Sequence, residues 1–394
     1  MNLTPIKGHL PQFLLGALVL FFLATGLGAR GIFEASLQED AWAEWGTFFA
    51  FLGAGFFFVN ALSETFGKDG RLQGEARGPA NRAGLLLLAL FCLAVAGEEI
   101  SWGQRVFGFV PPKAFLELNF QQELNFHNFL KSLAVDTRWL VALIALGYGA
   151  IAPGCSSERS PLPERLRAWA RPLAAPKSLR PWCVAVALVS VANPALLTVE
   201  AAELFLGLLL LLDAFGRTSE TPPKPLAQGT ALLAALLLGL AAAPAFDRFV
   251  YGGDEKAVAQ AKEELKFLEN DLSRGGLNPV LFTIGSPLDK RLLNAIRGNL
   301  VRLARPGLFL GEEPSPDDHS PEAAKARTRR GYLLDPWNNS YWIFYKPGEK
   351  GFLLYSLGPN RRRETITKAL SSEKLRSADL AGDDLGLWVG FPQK

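Results

Sequence analysis

Cysteine and histidine are scarce in this chain of 394 residues, with three of each. Cys92, Cys155 and Cys183 are scattered and form neither a CxxC pair nor a metal-ligand spacing, which argues against a disulfide-stapled secreted domain and against a structural zinc module. His9, His127 and His319 stand far apart, so a multi-histidine zinc set is excluded. Neither a G-x-S-x-G nucleophile turn nor an H-E-x-x-H zinc helix occurs. Excess charge is missing as well. The net charge is +3, and no nucleic-acid partner is expected from it.

What the chain has in quantity is apolar side chains, 49% of all residues, gathered mostly in the first 250 positions. A bilayer core of about 30 Å needs about twenty helical residues, slightly fewer when flanking side chains snorkel. Seven runs meet that demand, at 13–29, 42–62, 83–97, 139–151, 182–197, 201–215 and 229–246. The first follows a short polar lead with one lysine, carries no convincing small-x-small cleavage site and is followed by more spans, so it reads as a membrane helix rather than a removed signal. Asn193 and Pro194 mark a tight hairpin between the fifth and sixth.

Orientation follows from the basic residues of the loops, which stay on the cytoplasmic side. Lys68, Arg71, Arg77 and Arg82 follow the second run, Arg159, Arg165, Arg167, Arg171, Lys177 and Arg180 the fourth, and Arg217 and Lys224 the sixth. The first loop is acidic, with Glu34, Glu39, Asp40 and Glu44. These counts predict a bacterial inner-membrane protein with a cytoplasmic N-terminus, seven spans and a periplasmic tail. The connector at 157–181 reads as a solvated loop with an interfacial amphipathic helix that is drawn to the lipid bilayer.

Residues 97–128, GEEISWGQRVFGFVPPKAFLELNFQQELNFHN, place ionisable groups beside a membrane span, where they are costly unless paired or functional. Glu98 and Glu99 end the third run; Arg105, Glu123, His127 and Asn128 follow in the outer loop. Glu44, Glu200 and Glu203 fall at the same face by the charge-derived topology. On a continuous helix Glu98, Trp102 and Arg105 share one side. Read as helix, 119–128 puts Glu123 and His127 one turn apart; read as strand, it aligns Asn119, Gln121, Glu123, Asn125 and His127 on one face. Pro111 and Pro112 favour a re-entrant or interfacial helix.

Three functions fit these residues. The first is an enzyme acting on a lipid-linked or envelope substrate, with His127 or a glutamate as general base and Asn128 among the positioning carboxamides. Its metal form places a divalent iron, manganese or zinc ion among Glu98 or Glu99, Glu123, His127 and Glu203. The second is a transporter in which the acids form a proton or cation path. The third is a polar network without turnover, which leaves a scaffold.

The tail changes character. Ala257, Ala261, Leu265, Leu268 and Leu272 recur at helical spacing among Glu and Lys, and Gly275 and Gly276 stop the helix. Residues 341–357 hold two aromatic-rich runs around a PGEKG turn, the pattern of a β-hairpin. The predicted fold is therefore a polytopic α-helical membrane domain, six spans over 1–228, then a seventh span and stalk helix over 229–272, and a small α+β domain over 273–394.

The segments GYLLDPWNNSYWIFYKPGEKGFLLYSLGPN and DDLGLW resemble the carboxyl-terminal domain of the major pseudopilin of type II secretion systems, which has a DPWG-type turn, a PG-x-x-G hairpin tip and SLG and DDIG-W elements. Asp335, Pro336, Trp337, Asn338, Tyr341, Pro347, Gly348, Gly351, Ser356, Leu357, Gly358, Pro359, Asp383, Asp384, Gly386 and Trp388 carry the likeness. It implies a calcium loop, here at Ser356, the Leu357 carbonyl, Asn360, Asp383 and Asp384. Asn360 stands where the family has aspartate, and Arg361, Arg362 and Arg363 oppose a cation. The residues before Ala231, PKPLAQGT, lack the FTLIE-type head of a pseudopilin. The resemblance thus implies a tethered docking module for secretion or pilus-like envelope proteins, not a polymerising subunit. The strings GEEISWGQ and NFQQELNFHN resemble uncharacterised bacterial membrane proteins, a likeness that carries no reaction.

Overall fold

The computed structural model describes residues 10–29, 32–33, 36–37, 41–66, 78–107, 109–118, 123–126, 130, 136–192, 198–218, 225–246, 255–274, 314–344, 350–359, 380 and 384–391. The helices in chain order are α1 (Leu10–Gly28), α2 (Trp42–Glu64), α3 (Pro79–Glu99), the short α4 (Gln104–Phe107) and α5 (Lys113–Leu118), and α6 (Thr137–Leu146). A π-helical turn, Gly147–Ile151, joins α6 to α7 (Ala152–Ser156). Then come α8 (Glu164–Ala170), α9 (Arg180–Ala192), α10 (Val199–Arg217), α11 (Pro225–Phe246), α12 (Glu255–Arg274) and α13 (Pro321–Tyr332), and three strands, β1 (Trp342–Phe344), β2 (Gly351–Ser356) and β3 (Leu385–Gly390). They form two compact units, Met1–Trp102 with Leu133–Pro244, and Gly103–Ser132 with Ala245–Lys394.

Among the described residues, the regular elements of the first unit are all helices. Among the described residues, five helices are long and apolar enough to cross a membrane: α1, α2, α3, the continuous run Thr137–Ser156 and α11. The other two runs expected as spans differ. The described part of α9 is a shorter apolar helix, and 193–197 lie outside the described residues. In α10 the apolar stretch is bounded by Glu200 and Glu203 at one end and Asp213 and Arg217 at the other. Its middle is apolar on all sides and, correspondingly, buried on all sides, from Ala201 to Ala214 save Glu203. Small residues let neighbours approach it. A Cβ on Gly207 would lie 2.9 Å from the Phe51 ring, and one on Gly46 would lie 3.3 Å from Leu204. Gly46 also admits α11, since a Cβ on Gly239 would meet the Gly46 amide nitrogen at 2.6 Å, the close backbone crossing that membrane helices build from small residues.

In the second unit the stripe read from the sequence is the buried face of α12: Ala257, Ala261, Leu265, Leu268 and Leu272 are all buried. It packs on an antiparallel sheet of order β1-β2-β3. Leu265, Leu268 and Leu272 meet Tyr341, Ile343, Phe352, Leu354 and Val389, while Trp342, Leu353, Tyr355 and Leu357 form a cluster on the opposite face. Strand β2 is consequently buried along its whole length. Its register places Gly386 opposite Tyr355, where a Cβ would come within 2.6 Å of the tyrosine Cβ, so only glycine fits. The hairpin tip at 345–349 lies outside the described residues.

The segment before β1 is held by Asp335. Its carboxylate accepts from the Trp337 and Asn339 amides at 3.0 and 2.7 Å and from the Ser356 hydroxyl at 2.6 Å. The Asn338 amide closes the turn on the Asp335 carbonyl at 2.9 Å, and Asn338 takes a left-handed conformation, φ 64°. Asparagine tolerates that region better than other side chains bearing a Cβ.

Candidate functional site

Glu98 and Glu99 are the last residues of α3. The helix does not continue to Arg105, because Ser101, Trp102 and Gly103 follow one another in left-handed conformation, with φ of 46°, 52° and 79°. The expected side of Glu98, Trp102 and Arg105 is thereby broken, although its first pair survives. The Trp102 indole N–H donates to Glu98 Oε1 at 2.6 Å, and the ring rests on Gly97, where a Cβ would meet it at 3.0 Å. Holding a non-glycine residue in such a conformation costs about 1–3 kcal/mol, and such strain gathers at functional sites. Arg105 belongs to α4, and its side chain lies outside what is described.

Glu123 is buried, at 5% exposure, in the second unit. The Leu124 amide donates to Gln104 Oε1 at 2.6 Å, and the Asn125 amide to the Glu123 carbonyl at 2.9 Å, so 123–125 is a turn anchored on α4 rather than regular helix or strand. Phe115 and Phe126 stack edge to face beside it, 5.2 Å apart. His127 and Asn128 lie outside the described residues, and so does any pairing of Glu123 with His127. Glu200 and Glu203 sit at the start of α10, where Thr198 caps the helix by accepting from the Ala201 amide at 3.3 Å. Glu44 holds the equivalent place in α2. The helix dipole favours acids in the first turn, which Glu200 and Glu44 occupy and Glu203 does not.

Glu98, Glu99 and Glu203 belong to the first unit and Glu123 to the second. Among the described residues no group of three or more His, Cys, Asp or Glu side chains is arranged to hold a metal. Of the residues expected to form a calcium loop, Asn360 and Asp383 lie outside the described residues. Ser356 is already engaged with Asp335 and accepts from the Gly358 amide at 3.0 Å, and Asp384 is buried just before β3.

Two buried ionic clusters escaped the sequence reading. In the first unit, Asp213 near the end of α10 takes Arg217 Nε on both oxygens, at 3.0 and 2.9 Å, and the Tyr148 hydroxyl on Oδ2. Arg217 reaches on to the Ala174 carbonyl at 3.4 Å and lies 5.7 Å from the Phe58 ring. Tyr148 belongs to the π-helical turn, and its carbonyl accepts from the Ala175 amide at 2.9 Å. Thus one carboxylate joins α10, the π turn and the 171–175 segment. The Asp213–Arg217 spacing of four was the available signal; the tyrosine, far away in sequence, gave none.

In the second unit Glu264 is fully buried on α12. Arg329 of α13 contacts both of its oxygens at 2.5 Å, the Tyr341 hydroxyl donates at 2.7 Å and Gln260 at 2.9 Å. Burial first, and then the charges of Glu264 and Asp335, push the Tyr341 phenol well above the usual tyrosine range. Here the sequence did hold a signal, because Glu264 lies three residues from Ala261 and four from Leu268, on the apolar stripe itself.

Comparison with family models, with curated proteins and with solved structures finds no match to this chain.

Proposed function

We propose that this protein is an integral inner-membrane scaffold that presents a pseudopilin-like domain at the periplasmic face, for docking to envelope proteins of a secretion or pilus-like assembly. The observation that carries this reading is the construction of the tail. An amphipathic helix that follows the apolar α11 in sequence lies across a three-stranded antiparallel sheet, and the DPWN turn is locked to the end of β2 through Asp335 and Ser356. Helix, DPWN turn, hairpin strands and DDLGLW strand come in the order the pseudopilin resemblance implies, and Asn338 takes the conformation suited to the glycine of that family's turn. The buried carboxylates of Asp335 and Glu264 each accept from three or more donors, which suits a rigid recognition platform. A cytoplasmic N-terminus and an outer tail agree with the loop charges. The test is co-purification of secretion-type envelope components with the full-length chain. Retention should survive His127→Ala and disappear on deletion of 255–394; retention without the tail refutes the reading.

A second reading has its own support in the left-handed run at Ser101 and Trp102 beside Glu98 and Glu99. It is a membrane-embedded enzyme in which His127 or a glutamate acts as general base toward a lipid-linked substrate. Elemental analysis of the purified protein before and after Glu123→Gln decides it. A transition metal lost with the substitution supports the enzyme, and an unchanged metal content removes the metal form of it.

A further inference from the structure

In the first unit, α8 and the turn Arg171–Leu173 fold back onto the start of α3. Gly84 permits the approach: a Cβ there would lie 2.4 Å from Cγ of Pro172, so the proline ring fills the space a side chain would need. Between the two elements lies a cavity of about 630 Å³. Pro79, Ala80 and Asn81 line one side of it, and Arg165, Trp169 and Arg171 the other. Its volume falls within the range of small-ligand pockets.

The chemistry of the cavity is cationic. Two arginines of the lining, Arg165 and Arg171, stand against one acid, Glu164, which is held by Arg171 at 2.7 Å and, from outside the lining, by Arg167 at 2.5 Å. Beside them Leu166 and Trp169 are 52% and 45% exposed. A short helix that shows a tryptophan and a leucine next to arginines, in a connector between apolar helices, has the character of a segment at a membrane interface.

We infer that this cavity binds the phosphate headgroup of an anionic phospholipid, with Arg165 and Arg171 as the cations, Asn81 as a carboxamide donor and the Trp169 indole against the glycerol backbone. The inference rests on the membrane-spanning reading of the chain. It goes beyond the diffuse attraction that any basic loop exerts on acidic lipid, because the cavity has a fixed wall in the Gly84–Pro172 contact.

The experiment is native mass spectrometry of the full-length protein released from phosphatidylcholine nanodiscs doped with phosphatidylglycerol, reading the retained phosphatidylglycerol. Arg165→Gln with Arg171→Gln should lower retention about tenfold more than Arg159→Gln with Lys177→Gln, which removes the same charge from the same connector outside the cavity; tenfold corresponds to about 1.4 kcal/mol. Equal losses in the two pairs overturn the inference, since diffuse attraction predicts them. Ala168→Phe fills the cavity without changing charge and should lose the lipid as the first pair does; retention at the wild-type level overturns the inference as well. Inorganic phosphate added as competitor should leave the lipid in place, and displacement by it would assign the cavity to a free phosphate instead.

Discussion

The stability of the tail should turn on one buried pair, and the two halves of that pair should not be equivalent. Glu264 is fully buried, and its carboxylate is satisfied by Arg329, Tyr341 and Gln260. The Arg329 side chain keeps 16% exposure. Arg329→Met therefore leaves a buried anion with only two neutral donors, a change that costs about 3–5 kcal/mol. Glu264→Gln leaves a guanidinium that can turn toward water while the amide still accepts from Tyr341, and should cost about 1–3 kcal/mol. The double substitution should be milder than Arg329→Met alone, because the uncompensated charge is gone; the coupling is about 0.5–3 kcal/mol. The assay is hydrogen exchange of the β2 amides, Gly351–Ser356, in full-length protein in nanodiscs. Arg329→Met should speed exchange by roughly two to three and a half decades at 1.4 kcal/mol per decade. Equal effects of the two single substitutions, or exchange in Arg329→Met within about threefold of wild type, would refute the reasoning.

Three further outcomes follow from the same contacts. The Tyr341 phenol is raised in the folded state, so its contribution is fully present below the ordinary tyrosine pKa of about 10 and is lost as pH climbs beyond it; β2 exchange should accelerate above that pH and lose this step in Tyr341→Phe. Gly239→Leu drives a side chain into the α2 backbone and should lower the thermal midpoint of the detergent-solubilised protein by the equivalent of at least about 1–3 kcal/mol, whereas Gly16→Ala, with nothing within 4 Å, should leave it unchanged. Asp213→Ala strips Arg217 and Tyr148 of a shared acceptor and should cost about 3–5 kcal/mol, against about 1 kcal/mol for Tyr148→Phe; equal thermal shifts would show that the carboxylate is not the centre of that cluster.

Local patterns were legible in the sequence and long-range ones were not. The α12 stripe and the β1–β2 pairing could be read because helical and strand periods act within a few residues. The apolar middle of α10 was legible as a helix, but its place among its neighbours was not. An all-round apolar surface marks a lipid-facing span and a protein-buried helix equally well, and glycines such as Gly46 and Gly207 decide which. The end of α3 at Glu98 and Glu99 was legible, but a helix continuing to Arg105 was not to be had: Ser-Trp-Gly folds back in left-handed conformation, against the preference of its first two residues, so the helical spacing from Glu98 to Arg105 does not hold. Of the candidate site, Glu98 and Trp102 could be paired from spacing alone. Tyr148 with Asp213, and Glu264 with Arg329 and Tyr341, are tertiary pairs, and one chain's sequence gives no means of matching them.

Sidedness tests the account most directly, since a scaffold that docks envelope partners needs its tail and its basic connector on opposite sides of one membrane. Glu322→Cys in α13 and Arg159→Cys in the connector, both at exposed positions, provide the reporters in a Cys155→Ser background, since Cys155 is half-buried while Cys92 and Cys183 are buried. With a membrane-impermeant maleimide on intact spheroplasts, the account predicts labelling of Glu322→Cys before lysis and of Arg159→Cys only after it. Labelling of Arg159→Cys in intact cells, or protection of Glu322→Cys until lysis, would contradict it.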